Sequence, residues 1–364
     1  MQRLTRMDGL RGVLAVYVML CHALPFTDFP GWVLAPFSHG EAGVDLFFAL
    51  SGLVIVNSLE RFGGAFAPFM RARGRRLLPV YFIVLAASIA LVGWGDPLRA
   101  MPWVGVAGRE VMEPGLPDWL GWHVAAHLAL VQGMIPQGAL PYAYVTLLGP
   151  AWSLSTEWQF YVVIGLLAPK RLGLFALGLL GVGAVYHGLH LPPWWQFSRA
   201  FLPDAAPFFA LGIASCVALR GSGLRGGGWR VFAACLLGAC AVGFFSGGVG
   251  KAVVPLVWGV AMLAQRQNFG VVLEGRAVQY LGAISYPLYL VNEPVQRGLA
   301  MLCGPLARGD AAVFTLMWLP LAVLGPVMVA MLLHHGVERR FMRSGQGLNW
   351  FLLHERRVFR ASEG

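Results

Sequence analysis

RGVLAVYVMLCH, residues 11–22, is an apolar run closed at one end by an arginine and at the other by a histidine. His22 follows Arg11 by eleven positions. At about 100° per residue the two would lie within roughly 20° of each other on one face of a helix, about 16 Å apart along its axis. Ala15 and Val18 line the lane that joins them. Taken alone, such a segment reads equally as an anchoring helix, with the arginine snorkelling at one boundary and the histidine at the other.

The surrounding chain places this helix in a membrane. Of 364 residues, 57% are hydrophobic and 12% charged, far below the roughly one-quarter charged residues of soluble domains. Apolar runs of spanning length are expected at 9–25, 42–59, 78–95, 151–168, 172–190, 200–219, 230–247, 251–265, 280–298 and 311–334. The expected fold is therefore an all-α polytopic membrane protein with about ten transmembrane helices and cytoplasmic N- and C-termini. Residues 1–341 form one membrane domain, and 342–364 a basic cytoplasmic tail. Asp8, Arg11 and His22 interrupt the first run, and CHALPF offers no clear cleavage site, so this segment is read as a retained helix and not a secretory signal. The net charge of +10 does not point to nucleic acid. With the N-terminus inside, most of the 27 Lys and Arg residues fall on the cytoplasmic side, the positive-inside pattern. The five cysteines have no C-x-x-C spacing, and no metal-ligand pattern emerges. WLGWHVAAHLALVQGMI at 119–135 would invert all that follows if it spanned. It reads as a helix at the outer interface or packed re-entrantly, with Trp119 and Trp122 as an aromatic belt. His187, His190, His334 and His335 lie at span ends and read as interface residues.

Several polar residues fall inside the spans, where ionisable groups point to a functional site. Asp45 in EAGVDLFFALSGLVI reaches the level of His22 and is a natural partner for orienting the imidazole. Arg71, Arg73, Arg75 and Arg76 crowd the start of the third span, more cations than topology requires and a fit to phosphate oxygens. In PAWSLSTEWQFY, Ser153, Glu157 and Tyr161 share one face. In GAISYPLYLVNEPVQR, Ser285, Tyr289, Asn292 and Gln296 form a stripe with Glu293 and Arg297 beside it. Pro287 and Pro294 should kink that helix, as beside a cavity.

MDGLRG, Arg11 and His22 with ten residues between them, GVDLFFALSGLVI, RGRRLLPVY, WSLSTEWQFY and SYPLYLVNEPV occur in this order. Together they resemble the bacterial acyltransferase 3 family of integral-membrane O-acyltransferases, from about residue 4 to 341. The resemblance implies an acyltransferase (EC 2.3.1.-) of the bacterial inner membrane. Such an enzyme takes a short acyl group, often acetyl, from cytoplasmic acyl-CoA and passes it to a hydroxyl of a carbohydrate or cell-surface glycan at the outer face. It implies His22 as the catalytic residue, Arg73 and Arg76 as the R-x-x-R motif for the donor's phosphates, and matches at Asp45, Ser51, Gly52 and Glu157. Where relatives often carry a later histidine this chain has Asn292, and the adjacent Glu293 is the candidate substitute.

The expected site is then His22, Asp45 and Glu157 for catalysis and Arg11, Arg73 and Arg76 for the donor. A supporting polar network comprises Ser51, Ser153, Tyr161, Ser285, Tyr289, Asn292 and Glu293. The pantetheine arm of CoA is comparable in length to the roughly 16 Å lane. The expected partners are acyl-CoA, a glycan acceptor, the bilayer and separate glycan-assembly proteins, with no nucleic acid and no permanently bound cofactor. The rival reading, a polytopic transporter or flippase of a glycan or lipid-linked substrate, also accounts for intramembrane carboxylates and broken helices. It calls for internal repeats between the two halves, and none is evident.

Overall fold

A computed structural model describes residues 4–94, 98, 101, 103–104, 117–221, 226–267 and 270–343. The expected basic tail from 344 onward lies outside them. Helices occupy all ten expected apolar segments. We label them α1 (Thr5–Ala23), α2 (Gly40–Arg61), α3 (Phe66–Val92), α4 (Leu120–Leu128), α5 (Ala151–Leu167), α6 (Leu172–Gly188), α7 (Leu202–Arg220), α8 (Gly227–Arg266), α9 (Arg276–Ala307) and α10 (Ala311–Leu333). No strand is present among the described residues. Six helices, α1, α2, α3, α7, α8 and α10, are long and apolar enough to cross a membrane. The protein is a polytopic membrane protein.

The 40-residue α8 is two helices in one. Gly248 takes φ 71° and ψ −161°, a conformation open to glycine, and the chain reverses there. A methyl group placed on Gly243 would lie 2.9 Å from the Lys251 carbonyl oxygen, so the arms of this hairpin pack tightly. The expected runs 230–247 and 251–265 are these two arms. The polar residues of α5 and α9 dilute their hydropathy. They earn their place by burial: Ser153, Ser155, Thr156 and Gln159 on α5 and Ser285, Asn292 and Gln296 on α9 are all buried.

α1 and α9 lie side by side and run the same way, while α2, α5 and α7 run the other way. Glycine sets the closest approaches, as expected where helices associate by packing alone. A methyl on Gly12 would stand 2.5 Å from the Gly282 nitrogen, and one on Gly52 would stand 2.5 Å from the Phe209 oxygen. The glycines of MDGLRG and of the Ser51-Gly52 pair are thus packing positions. At the far end of the α1–α9 contact, the Gln296 amide donates to the Met19 and Ala322 carbonyls, both at 3.2 Å, and Trp318 donates to the Gln296 carbonyl at 3.1 Å. One side chain thereby joins α1, α9 and α10.

The stretch 117–150 packs re-entrantly. Only Leu120–Leu128 is regular helix, about 13 Å long and too short to span. The irregular chain after it is pressed against α3 and α5, which satisfy its carbonyls as backbone away from water requires. Tyr81 donates to the His127 oxygen at 2.8 Å, Ser88 to Leu147 at 2.6 Å and Ser155 to Leu130 at 2.8 Å. Trp119 and Trp122 are exposed, as a belt would be, whereas His123 and His127 are buried. The two histidines therefore belong to the packing and not to the surface.

Gly12→Leu and Gly52→Val should each prevent close approach of two helices, at a cost of about 1–3 kcal/mol or more. Both are expected to lower the yield of monodisperse protein and its Tm in detergent, while Gly31→Ala, in open space, should change neither.

Candidate active site

The longer α3 decides which arginines face inward. It begins at Phe66, so RARGRR lies within the helix and not in a loop before it. Arg73 and Arg76, three residues apart, share one face, while Arg71 and Arg75 are exposed on another. Arg73 stands over the rings of Tyr161 (5.6 Å to the centroid) and Phe69 (5.9 Å), a cation–π arrangement.

These two arginines are charged neighbours of Arg11, and Glu157 acts on Arg11 and Arg73. The electrostatic neighbours of Arg11 include Arg76, Asp8, Glu157 and Tyr161, and those of Arg73 include Tyr161, Arg76, Glu157 and Arg11. Glu157 is fixed from the other side. Ser51 donates to its Oε1 at 2.6 Å, and the Tyr161 hydroxyl donates to the same oxygen. One carboxylate thus acts on the Arg11 and Arg73 guanidinium groups and accepts from two hydroxyls.

A second polar group lies at the other end of α1. Glu293 and Arg297 are the charged groups that act on the His22 imidazole, and they pair with each other at 3.1 Å. Gly149, just ahead of α5, lets Glu293 come close: a methyl there would sit 3.0 Å from the carboxylate carbon. Ser153 donates to the Tyr289 hydroxyl at 2.9 Å. The amide of buried Asn292 donates to the Tyr289 carbonyl at 2.6 Å, and its Oδ1 has no partner. Arg199 lies 4.5 Å from the centroid of Trp152 and pairs with Glu41.

The expected grouping of His22, Asp45 and Glu157 is therefore corrected. Glu157 is the seventh residue of a helix that enters from the histidine end, about 9 Å below its start, and its charged neighbours are Arg11 and Arg73. Asp45 is buried on the side of α2 that faces α7 and α8, where Asp204 and Lys251 are its charged neighbours. Neither carboxylate hydrogen-bonds His22; Glu293 is the acidic group beside it. The expected single polar network also divides. Ser51 and Tyr161 serve Glu157, Ser153 and Tyr289 pair near the histidine end, and Ser285 bonds the Gly282 carbonyl of its own helix at 2.9 Å.

Two residues escaped the sequence reading. Glu338 is buried, 3.7 Å from Arg76, and accepts from Nδ1 of His334 at 2.7 Å. His334 was expected at the interface but is buried. Their i, i+4 spacing was the available signal, obscured by the basic residues that follow.

A family model described as an acyltransferase domain matches residues 4–335. The chain belongs to the acyltransferase 3 family. It is 27% identical to acyltransferase MdmB of Streptomyces mycarofaciens, covering 94% of this chain and 92% of that one. It is 30% identical to protein 2 in the picA locus of Rhizobium radiobacter, over 43% of this chain and 78% of that one. It is also 25% identical to the protein named "Putative peptidoglycan O-acetyltransferase YrhL" of Bacillus subtilis, over 97% of this chain but 56% of the longer relative. No solved structure matches. Family membership makes the protein a membrane acyltransferase (EC 2.3.1.-) with an acyl donor and an acceptor, and sets aside the transporter reading.

Ser51→Ala and Tyr161→Phe each remove one hydrogen bond to a half-buried carboxylate, worth about 1.5–3 kcal/mol for a charged acceptor. Each should lower the Tm of the purified protein. The double variant should lose less than the sum, because both hydroxyls serve one oxygen.

Proposed function

We propose that the protein carries a short acyl group, most simply acetyl, from acyl-CoA in the cytoplasm to a hydroxyl of a carbohydrate or cell-surface glycan. The acceptor lies on the outer face of the bacterial cytoplasmic membrane. The observation that carries this reading is the arrangement along α1. Three arginines gather round Glu157 at one end, and His22 stands with Glu293 about 16 Å away at the other. An elongated donor with phosphates at one end and a thioester at the other fits that lane. The positive-inside pattern supports ten spans with the arginine end cytoplasmic.

In this reading Arg11, Arg73 and Arg76 hold the donor's phosphates through paired N–H groups. Glu157 keeps the three cations together before the donor arrives. His22 removes the proton from the acceptor hydroxyl as its oxygen attacks the thioester carbonyl. The new C–O bond forms, the C–S bond breaks, and the thiolate takes the proton from the imidazolium. Glu293 stabilises that imidazolium while it lasts. Base assistance of this kind is typically worth about 10² to 10⁴ in rate. A glycan acceptor is supported by the name of the Bacillus relative, and separate glycan-assembly proteins are its proposed partners.

His22→Ala should abolish acyl transfer by the purified protein while donor binding stays near its original affinity. A fully active His22→Ala protein would overturn the assignment. Mass spectrometry of surface glycans from a deletion strain and its complemented parent should show one acyl mass lost and restored, naming donor group and acceptor together.

A further inference from the structure

The last span does not end as a regular helix. α10 stops at Leu333, residues His334–Glu338 form a π-helical turn, and α-helix resumes at Arg339–Arg343. Such turns insert a residue into the helical ladder and recur at functional sites. This one turns Glu338 inward. Its side chain is 2% exposed, although three arginines follow within five residues. A carboxylate buried there is costly unless paired. One oxygen accepts from His334 Nδ1 at 2.7 Å, and the other stands 3.7 Å from Arg76 Nε. The neighbouring Tyr286 is engaged elsewhere, donating to the Leu77 carbonyl at 2.7 Å.

We infer that Glu338 is a positioning residue for the donor, holding the Arg76 guanidinium in the orientation that receives a phosphate group, with His334 fixing the carboxylate. The inference rests on the reading of Arg76 as a phosphate ligand. Arginine recognises phosphate through a planar fork on a flexible stem, so the plane of the fork has to be set by something else. Glu338 approaches the guanidinium at Nε, at ion-pair and not hydrogen-bond distance, and so sets which edge of the fork faces it. The Arg76 side chain is 24% exposed, within reach of a ligand, whereas Glu338 and His334 are behind it. The last span thereby tunes a site built mainly by α1, α3 and α5.

The test compares acetyl-CoA with acetylpantetheine, which has the same thioester but no phosphate, on purified protein in lipid nanodiscs. Glu338→Gln should raise KM for acetyl-CoA about tenfold, equivalent to about 1.4 kcal/mol, with kcat little changed and KM for acetylpantetheine unaltered. His334→Leu should shift the same KM in the same direction by less, and carries the test should Glu338→Gln not fold. Glu338→Asp should restore part of the loss. An equal rise in KM for both donors, or a fall in kcat at constant KM, would show a merely structural role and overturn the inference. Wild-type protein that turns over neither donor would overturn the proposed function with it. Wild-type turnover with Glu338→Gln unchanged on acetyl-CoA defeats the inference alone.

Discussion

A guanidinium inside a membrane bundle persists only beside a counter-charge, and three of them crowded together repel one another as well. Glu157 resolves both problems for Arg11, Arg73 and Arg76. Its own position depends on Ser51 and Tyr161, whose hydroxyls converge on one carboxylate oxygen. α1, α2, α3 and α5 are thereby tied together at one depth by a single acid. A neutral side chain at 157 would leave three half-buried cations with Asp8 and Glu338 as the remaining acids near them.

Close packing converts that local balance into a defined lane. α1 cannot shift along α9 without lifting Gly12 off Gly282, and α2 is held on α7 in the same way through Gly52 and Gly212. The bidentate pair between Arg220 and Glu60, at 2.6 and 2.7 Å, locks α2 to α7 at their final turns. That pair is half-exposed and contributes little energy by itself, but it sets register. The distance between the arginines and His22 is therefore a property of a rigid helix in a fixed seat, as a donor of set length needs.

Much of this was legible in the sequence because it rests on helical periodicity and charge. The Arg11–His22 lane needs only 100° per residue, and the ten segments need only apolar length. The depth and rotation of separate helices are not carried by either signal. Asp45 was expected at the level of His22, yet α2 turns it towards Asp204 and Lys251. Glu157 was expected with His22, and only the depth set by α5 separates the two. The arginines were read at the mouth of a loop because glycine in RARGRR weakens a helix signal; there Gly74 is buried, with a Cβ at ordinary contact distance from Leu78 and Trp158. Glu338 was hidden by its basic neighbours, since nothing in a linear pattern announces a π-turn.

The separation of the two acids gives the chemistry its order. A carboxylate placed beside both His22 and the arginines would be pulled between a proton and fixed cations, and its charge would change as the donor's phosphates entered. Glu157 and Glu293 divide those tasks. The first meets permanent guanidinium charge, so its role is electrostatic and independent of the reaction coordinate. The second, in the proposed reaction, faces an imidazole whose charge rises and falls with each acyl transfer, and Arg297, one turn along α9, pairs with it. Glu293 and Arg297 act on the imidazole with opposite charge, and in the proposed reaction that pair leaves His22 to take the proton of the acceptor hydroxyl. Asn292, uncharged beside this pair, adds no competing base at that depth.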